Sequence, residues 1–261
     1  MGYPLPFFFQ WDDIEYGLRA RGAGFPTVTL HGAGVWHADF TWKNWDDWSR
    51  YFSFRNSLIT SALHSDFDRR RIVDHLARQL TDYLVSMRYG LAALTIRAIE
   101  DFLRGPDVLA DGGAETVAVV RKLWSAYSET ANHPASAVPG VPAVAMPKVP
   151  DRGTPSLMRS VLAKRILWQL LRKPRGTAAV SAADAKWWHV SQYEIAVVTD
   201  PSQEGVRVRR FDRDLMLALA RRSAGVLWRL SREGERVRDE YRARLPELSS
   251  RGTWTRLFDT E

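Results

Sequence analysis

There is no cysteine among the 261 residues of the chain. That absence excludes a disulfide framework, a thiolate zinc site and a cysteine nucleophile, and it is compatible with a reducing compartment. No basic leader stands in the start MGYPLPFFFQWDD, so no signal peptide is read there. Long apolar runs are missing too. The most apolar helical stretch, YLVSMRYGLAALTIRAIEDF, is interrupted by Arg88 and Arg97, whereas a bilayer span needs about 20 predominantly apolar residues. The expectation is a protein that is soluble or peripheral to a membrane. Acids are absent from residues 152–183, which hold Arg152, Arg159, Lys164, Arg165, Arg172, Lys173 and Arg175. The net charge is +7, so this one segment accounts for all of it. A phosphate-cradling GxxxxGK loop is lacking as well.

What is present is a globular composition, 45% hydrophobic and 26% charged, on a chain long enough for one large or two small cores. PFFFQ, FPTVTL and GVWH read as short strands, with a helix from Asp12 to about Arg21 between the first two. From Asn44 the period changes. NWDDWSRYFSFRNSLITSALH and FDRRRIVDHLARQLTDYLVSMRYGLAALTIRAIEDFLRG space their apolar residues by three and four, which predicts long amphipathic helices ended by Gly105 and Pro106. ETVAVVRKLWSAYSET predicts another helix. Six prolines between His133 and Pro155 predict an extended linker. SLMRSVLAKRILWQLLRK reads as a helix, WWHVSQYEIAVVTD and VRVRRFD as a β-hairpin across PSQEG, and FDRDLMLALARRSAGVLWRLSREGERVRDEYRARL as a final long helix. The fold class is therefore α+β, mostly α. Residues 1–43 form the C-terminal edge of an α/β domain, 44–133 a helical region, 134–155 the linker, and 156–261 a helical region with the hairpin.

The phrase WDDIEYGLR places three acids between a Trp and a Tyr. Structural explanations exist for each residue. Asp12 or Asp13 can cap a helix, Glu15 and Arg19 form an i, i+4 surface pair, and Trp11 and Tyr16 are ordinary core aromatics. The functional reading is an acceptor site for sugar transfer. An acid at the mouth of a helix that follows a strand lies where α/β folds gather ligands. A sugar hydroxyl ionises too weakly to be deprotonated in advance, so a well-placed carboxylate takes its proton as the new bond forms. Five of the eleven tryptophans (Trp11, Trp36, Trp42, Trp45 and Trp48) lie in the first 48 residues, and aromatic faces suit the C–H surfaces of sugars. DFD at 66–68 and DRD at 212–214 read as helix starts, not as metal motifs.

WDDIEYGLRA, GFPTVTL and GAGVWH resemble the end of the catalytic domain in inverting GT-A glycosyltransferases. With YFSFRNSLITSALH, AIEDFLRGP, the proline linker, DAKWWHV and LPELSSRGTW, the chain resembles, over essentially its whole length, the polymerising galactofuranosyltransferases of actinobacterial cell-wall galactan. The resemblance implies that Asp13 is the general base and that Trp11 and Asp12 line the acceptor pocket. It implies that His37 ligates a divalent metal, Mn²⁺ or Mg²⁺, that UDP-galactofuranose is the donor, and that galactofuranose is transferred with inversion to a galactan, lipid-linked and growing. Homo-oligomerisation and a cytoplasmic position, peripheral on the inner face of the plasma membrane, are implied as well. Phe40 and Ser53 stand where such proteins carry Trp and His, which leaves linkage and product length unassigned. No donor-binding DxD half is present, so the expectation is a C-terminal portion that does not catalyse transfer alone. The competing reading is a non-catalytic module for membrane anchoring or oligomerisation.

The basic segment bears on that alternative. Over 156–173, Met158, Leu162 and Ile166 share one helical face while Arg159, Lys164, Arg172 and Lys173 lie elsewhere, with Trp168 as an interfacial anchor. This pattern suits a helix lying on an anionic membrane, or equally a packed helix with a solvated basic face. Nucleic acid is not an expected partner, because no aromatics interleave with the basic cluster.

Overall fold

Helices dominate the computed structural model, which describes residues 1–32, 34, 46–134, 138, 153–199 and 205–258. In chain order they are α1 (Asp12–Gly22), α2 (Arg50–His64), α3 (Arg69–Val85), α4 (Tyr89–Leu103) and α5 (Ala114–Ser125), then α6 (Met158–Leu170), α7 (Trp187–Val190), α8 (Arg213–Leu248) and α9 (Arg251–Phe258). Two 3-10 turns, Pro106–Leu109 and Ser128–Thr130, flank α5. Three strands, β1 (Thr177–Val180), β2 (Ile195–Thr199) and β3 (Val206–Arg210), form one sheet in the order β1-β2-β3. The fold class is α+β, mostly α, as the periodicities predict.

The two acid motifs within the helical region do what their positions suggest. Asp68 accepts the Arg71 amide at 3.1 Å and starts α3. Asp212 accepts the amides of Asp214 and Leu215 at 3.0 and 2.9 Å and starts α8. Each satisfies N–H groups that have no partner inside the helix. The core is built around α4, which lies against α2, α3, α5 and α8, with Leu94, Ile96, Ala98, Ile99 and Phe102 wholly buried. Phe102 stacks on Tyr241 of α8 at 5.4 Å between centroids. At one edge of the core, Tyr51 donates to Asp101 at 2.7 Å, and Arg97 and Arg104 reach the same carboxylate.

Four local expectations are corrected. The helical run predicted over residues 67–105 breaks between α3 and α4. Met87 takes φ 58° there, and Arg88 turns back to Asp82 and Asp46 at 2.9 and 3.1 Å. PFFFQ is not a strand: Leu5 and Phe7 are buried in the core and Phe8 meets Phe52 of α2 at 5.0 Å. Those apolar side chains satisfy themselves on helices without a sheet. FPTVTL has no regular structure and no strand partner among the described residues, and it is exposed throughout. GVWH falls almost wholly outside the described residues. WWHV is the short helix α7, which buries Val190 and His189. The predicted hairpin survives as β2 and β3, paired antiparallel with Val197 opposite Val208. Ahead of it, β1 joins β2 in parallel, Thr177 opposite Ile195. TAAV is too short and too rich in alanine to announce a strand.

Candidate functional site

The approach to α1 is strained. Gln10 and Trp11 both lie in the left-handed region, with φ 63° and 69°, a conformation that costs roughly 1–3 kcal/mol for a residue with a side chain. One buried side chain secures it. The amide nitrogen of Asn56, in α2, donates to the carbonyls of Phe9 and Gln10 at 2.9 and 3.0 Å. Its carbonyl accepts from Nε of Arg55 at 3.0 Å. Arg55 is 0% exposed, lies over the rings of Tyr51 and Phe52, and its two terminal nitrogens have no hydrogen-bond partner among the described residues. Among the described residues, Asn56 is the side chain that ties the carbonyls of this turn to α2.

Beyond the turn, Asp12 and Asp13 stand exposed in the first turn of α1. They are not caps. Trp11 occupies the capping position without a side-chain bond, and Asp13 Oδ1 accepts only the Ile14 amide next to it, at 2.8 Å. Among the described residues its Oδ2 has no hydrogen-bond donor. Trp11 is half-buried and packs on the core, so it serves as a packed aromatic beside the acids. The first turn of α1 carries Asp12, Asp13 and Glu15, negative charge at the positive end of a helix dipole.

Glu15 corrects the expectation of a surface pair. It is 0% exposed and bonds Arg19 at 3.0 Å and His64 Nε2 at 2.9 Å. Arg19 also donates to the carbonyls of Met1 and Tyr3 at 2.9 and 2.8 Å. A buried charge needs such partners. The triad fixes α1 to the end of α2 and to the first residues of the chain. Asn56, Arg55 and His64 were not singled out by motif. Their signal in the sequence is positional: Phe52, Asn56 and Ile59 share a face at spacings of four and three, so a polar residue sits where apolar ones belong.

His37 lies outside the described residues, as do Trp36, Phe40, Trp42 and Trp45. Among the described residues no group of three or more His, Asp or Glu is placed to hold a metal ion. Just after the undescribed stretch, Asp46 is gripped by arginines: Arg88 at 3.1 Å and Arg209 at 3.9 Å on its carboxylate, and Arg207 on its carbonyl at 2.5 Å. Burial raises the pKa of Asp46, but the charges of Arg88 and Arg209 outweigh it and hold the carboxyl below the usual range. Burial together with the Arg88 charge pushes Arg209 down to about 10.

In the basic segment, α6 turns Met158, Leu162 and Ile166 half inward and is pinned by Gln169, which donates to the Val85 carbonyl at 2.9 Å. Leu157, Leu167 and Leu171 face outward, and Lys164 and Arg165 lie 5.1 and 5.5 Å from the Trp168 ring. Among the described residues no helix is long and apolar enough to cross a membrane.

Comparison with known proteins gives a consistent result. A family profile described as "Galactofuranosyltransferase-2, domain 3" matches residues 72–260. Galactofuranosyltransferase GlfT2 of Mycolicibacterium smegmatis (strain ATCC 700084 / mc(2)155) is 34% identical over 270 aligned residues, covering 100% of this chain and 42% of that protein. Galactofuranosyltransferase GlfT2 of Mycobacterium tuberculosis (strain ATCC 25618 / H37Rv) is 32% identical over 268 residues, covering 97% of this chain and 41% of that protein. The chain therefore spans about two-fifths of the length of the curated relatives it matches.

Proposed function

The chain belongs to the galactofuranosyltransferase-2, domain 3 family, and on that premise we propose that it forms the acceptor side of a galactofuranosyl transfer site. The observation that carries this reading is the exposed Asp12–Asp13 pair, presented by a strained turn that a buried side chain secures. Asp13 Oδ2 accepts the proton of the attacking galactan hydroxyl while Oδ1 keeps the Ile14 amide, which fixes the orientation of the carboxylate. Asp12 and Trp11 line the place where the acceptor sugar rests. The donor is UDP-galactofuranose: the galactan oxygen bonds the anomeric carbon with inversion, the bond to UDP breaks, UDP leaves, and the galactofuranosyl group joins a lipid-linked, growing galactan. Binding of the donor falls to residues outside this chain, so the chain alone is inactive.

A divalent ion, Mn²⁺ or Mg²⁺, belongs to this reading through His37 alone. The described residues hold no cluster of three or more His, Asp or Glu that could hold it, and the proton transfer is assigned to Asp13 on that residue's own position. The test is transfer from UDP-galactofuranose to a short galactofuranoside, with this chain in place of the matching region of a curated relative. Asp13→Ala is expected to lower turnover by about 10²–10⁴-fold. Unchanged turnover would remove Asp13 from its role.

A second reading rests on α6. Outward leucines beside Lys164, Arg165 and Trp168 suit an anionic membrane surface, where each basic residue contributes about 1 kcal/mol. We place the chain there on the cytoplasmic face of the plasma membrane, as a homo-oligomer and without nucleic acid. If anionic vesicles fail to sediment the chain, and ultracentrifugation finds only monomer, this reading falls.

A further inference from the structure

A groove of about 980 Å³ opens where the N-terminal ends of α4 and α8 meet the end of β3 and the start of β2. Its walls are tied together. Tyr89 Oη bonds both the amide and the carbonyl of Asp212 at 3.2 Å. Arg213 donates to the Leu170 carbonyl at 2.9 Å, and the Phe211 amide to the Glu194 carbonyl at 2.8 Å. A cleft braced in this way exists before any ligand arrives.

Its chemistry is unlike that of the chain as a whole. Four arginines and four carboxylates line it, so the net charge of the lining is zero although the chain carries +7. A polyanion is drawn by an excess of positive charge, and the lining offers none. Arg172 and Arg213 are occupied by Asp214 at 3.4 and 3.7 Å. Arg175 and Glu194 line the same groove, exposed and with no side-chain hydrogen bond among the described residues. A planar donor and a planar acceptor, each able to form two bonds at once, suit neighbouring hydroxyls. The half-buried rings of Tyr127 and Phe211 add apolar faces for C–H groups. A volume at the upper end of the range for small-molecule sites leaves room for several sugar units.

The groove is far from the acid pair. Arg242 of α8 donates to the carbonyls of Ala62 and Ser65, beside His64, which holds Glu15 of α1. Along the helix, residue 242 lies roughly 40 Å from Arg213 at 1.5 Å per residue. The geometry points to a second glycan site: the groove binds an uncharged oligosaccharide, and, resting on the function proposed above, it holds the galactan chain at a distance from its reacting end. A ligand that engages two linked sites gains affinity with length once it spans them.

Calorimetric titration of the chain with galactofuranosyl oligomers of increasing length tests this. Binding is expected to be insensitive to salt and unaffected by Asp13→Asn for oligomers too short to span both places. Phe211→Ala and Glu194→Gln should each weaken it about tenfold, with the thermal midpoint monitored. Arg175→Ala, in an exposed loop, serves if Phe211→Ala unfolds the chain. Binding that survives all three variants overturns the groove while leaving the acceptor reading intact. Displacement by inorganic pyrophosphate with a steep salt dependence makes it an anion site and overturns it too. Binding of glucose oligomers but not galactofuranosides keeps the glycan site and sinks the galactan reading.

Discussion

Removing the Asn56 side chain tests whether the acid turn hangs from one residue. Asn56→Ala deletes two neutral bonds, to the Phe9 and Gln10 carbonyls, each worth about 1 kcal/mol net. It also deletes the charged bond from Arg55 Nε, worth about 1.5–3 kcal/mol. Arg55, whose terminal nitrogens have no hydrogen-bond partner among the described residues, then loses the acceptor of its Nε and is left against the rings of Tyr51 and Phe52. The expected loss of stability is about 4 kcal/mol, read from urea denaturation. Asn56→Asp separates the two effects. It keeps an acceptor for Arg55 but sets a carboxylate oxygen against two carbonyls, so the loss falls to about 2 kcal/mol while the turn is released. Hydrogen exchange should then quicken at the first amides of α1, beginning with the Glu15 amide that bonds the Trp11 carbonyl, and stay slow in α4. A loss below about 1 kcal/mol for the alanine, or unchanged exchange for the aspartate, refutes the reasoning.

Other predictions follow from buried charge and backbone strain. Glu15→Ala leaves Arg19 and His64 facing a hole, and about 3–5 kcal/mol should be lost in chemical denaturation; a change near zero would mean the triad is not buried in solution. Asp46→Asn should cost about 3 kcal/mol near neutral pH. Because the folded pKa of Asp46 is depressed below 3.8, its stabilisation is present above about pH 4 and is lost as the pH falls through the folded value. The gap between variant and parent should therefore close in acid, and a gap independent of pH contradicts the clamp. Gly113→Ala should lower the thermal midpoint by several degrees, since φ is 92° and a Cβ there would meet the Phe8 side chain; a cost under about 0.5 kcal/mol would show that Phe8 yields freely.

The helices were legible because their apolar spacing is regular and their starts carry acids with clear capping geometry, as at Asp68 and Asp212. Failures cluster where tertiary contacts override local pattern. PFFFQ alternates like nothing in particular and is simply apolar, so its choice between a sheet and the flank of α2 depends on what lies beside it. WWHV has strand-forming residues, yet its helical turn lets His189 meet the Asp184 carbonyl through Nδ1 and buries Val190. Of the candidate site, the acids were legible by motif and their support was not. Glu15 and Arg19 have the spacing of a surface pair, and the arrival of His64 from 49 residues away, with the first residues of the chain over Arg19, makes that pair a buried one. Sequence spacing reports which groups share a helix face, not what covers that face.

The two stretches that flank α1 differ in how completely this chain accounts for them. The first residues are held by their backbone: the Tyr3 amide bonds the Ser249 carbonyl at 2.8 Å, the Trp254 indole donates to the Pro4 carbonyl at 2.9 Å, and Arg19 takes two further carbonyls. Such bracing is what a carboxylate needs if its placement matters more than its pKa. After α1 the bracing stops. Phe25, Val28 and Leu30 are 60, 67 and 64% exposed, and no strand among the described residues pairs with them. Residues 25–30 are exposed throughout, so Val28→Lys should change the stability of the chain by less than about 0.5 kcal/mol. The same substitution should lower any self-association that the exposed apolar side chains drive, measured by sedimentation velocity. A stability loss above about 1 kcal/mol would show instead that residues 25–30 pack against the protein that carries them.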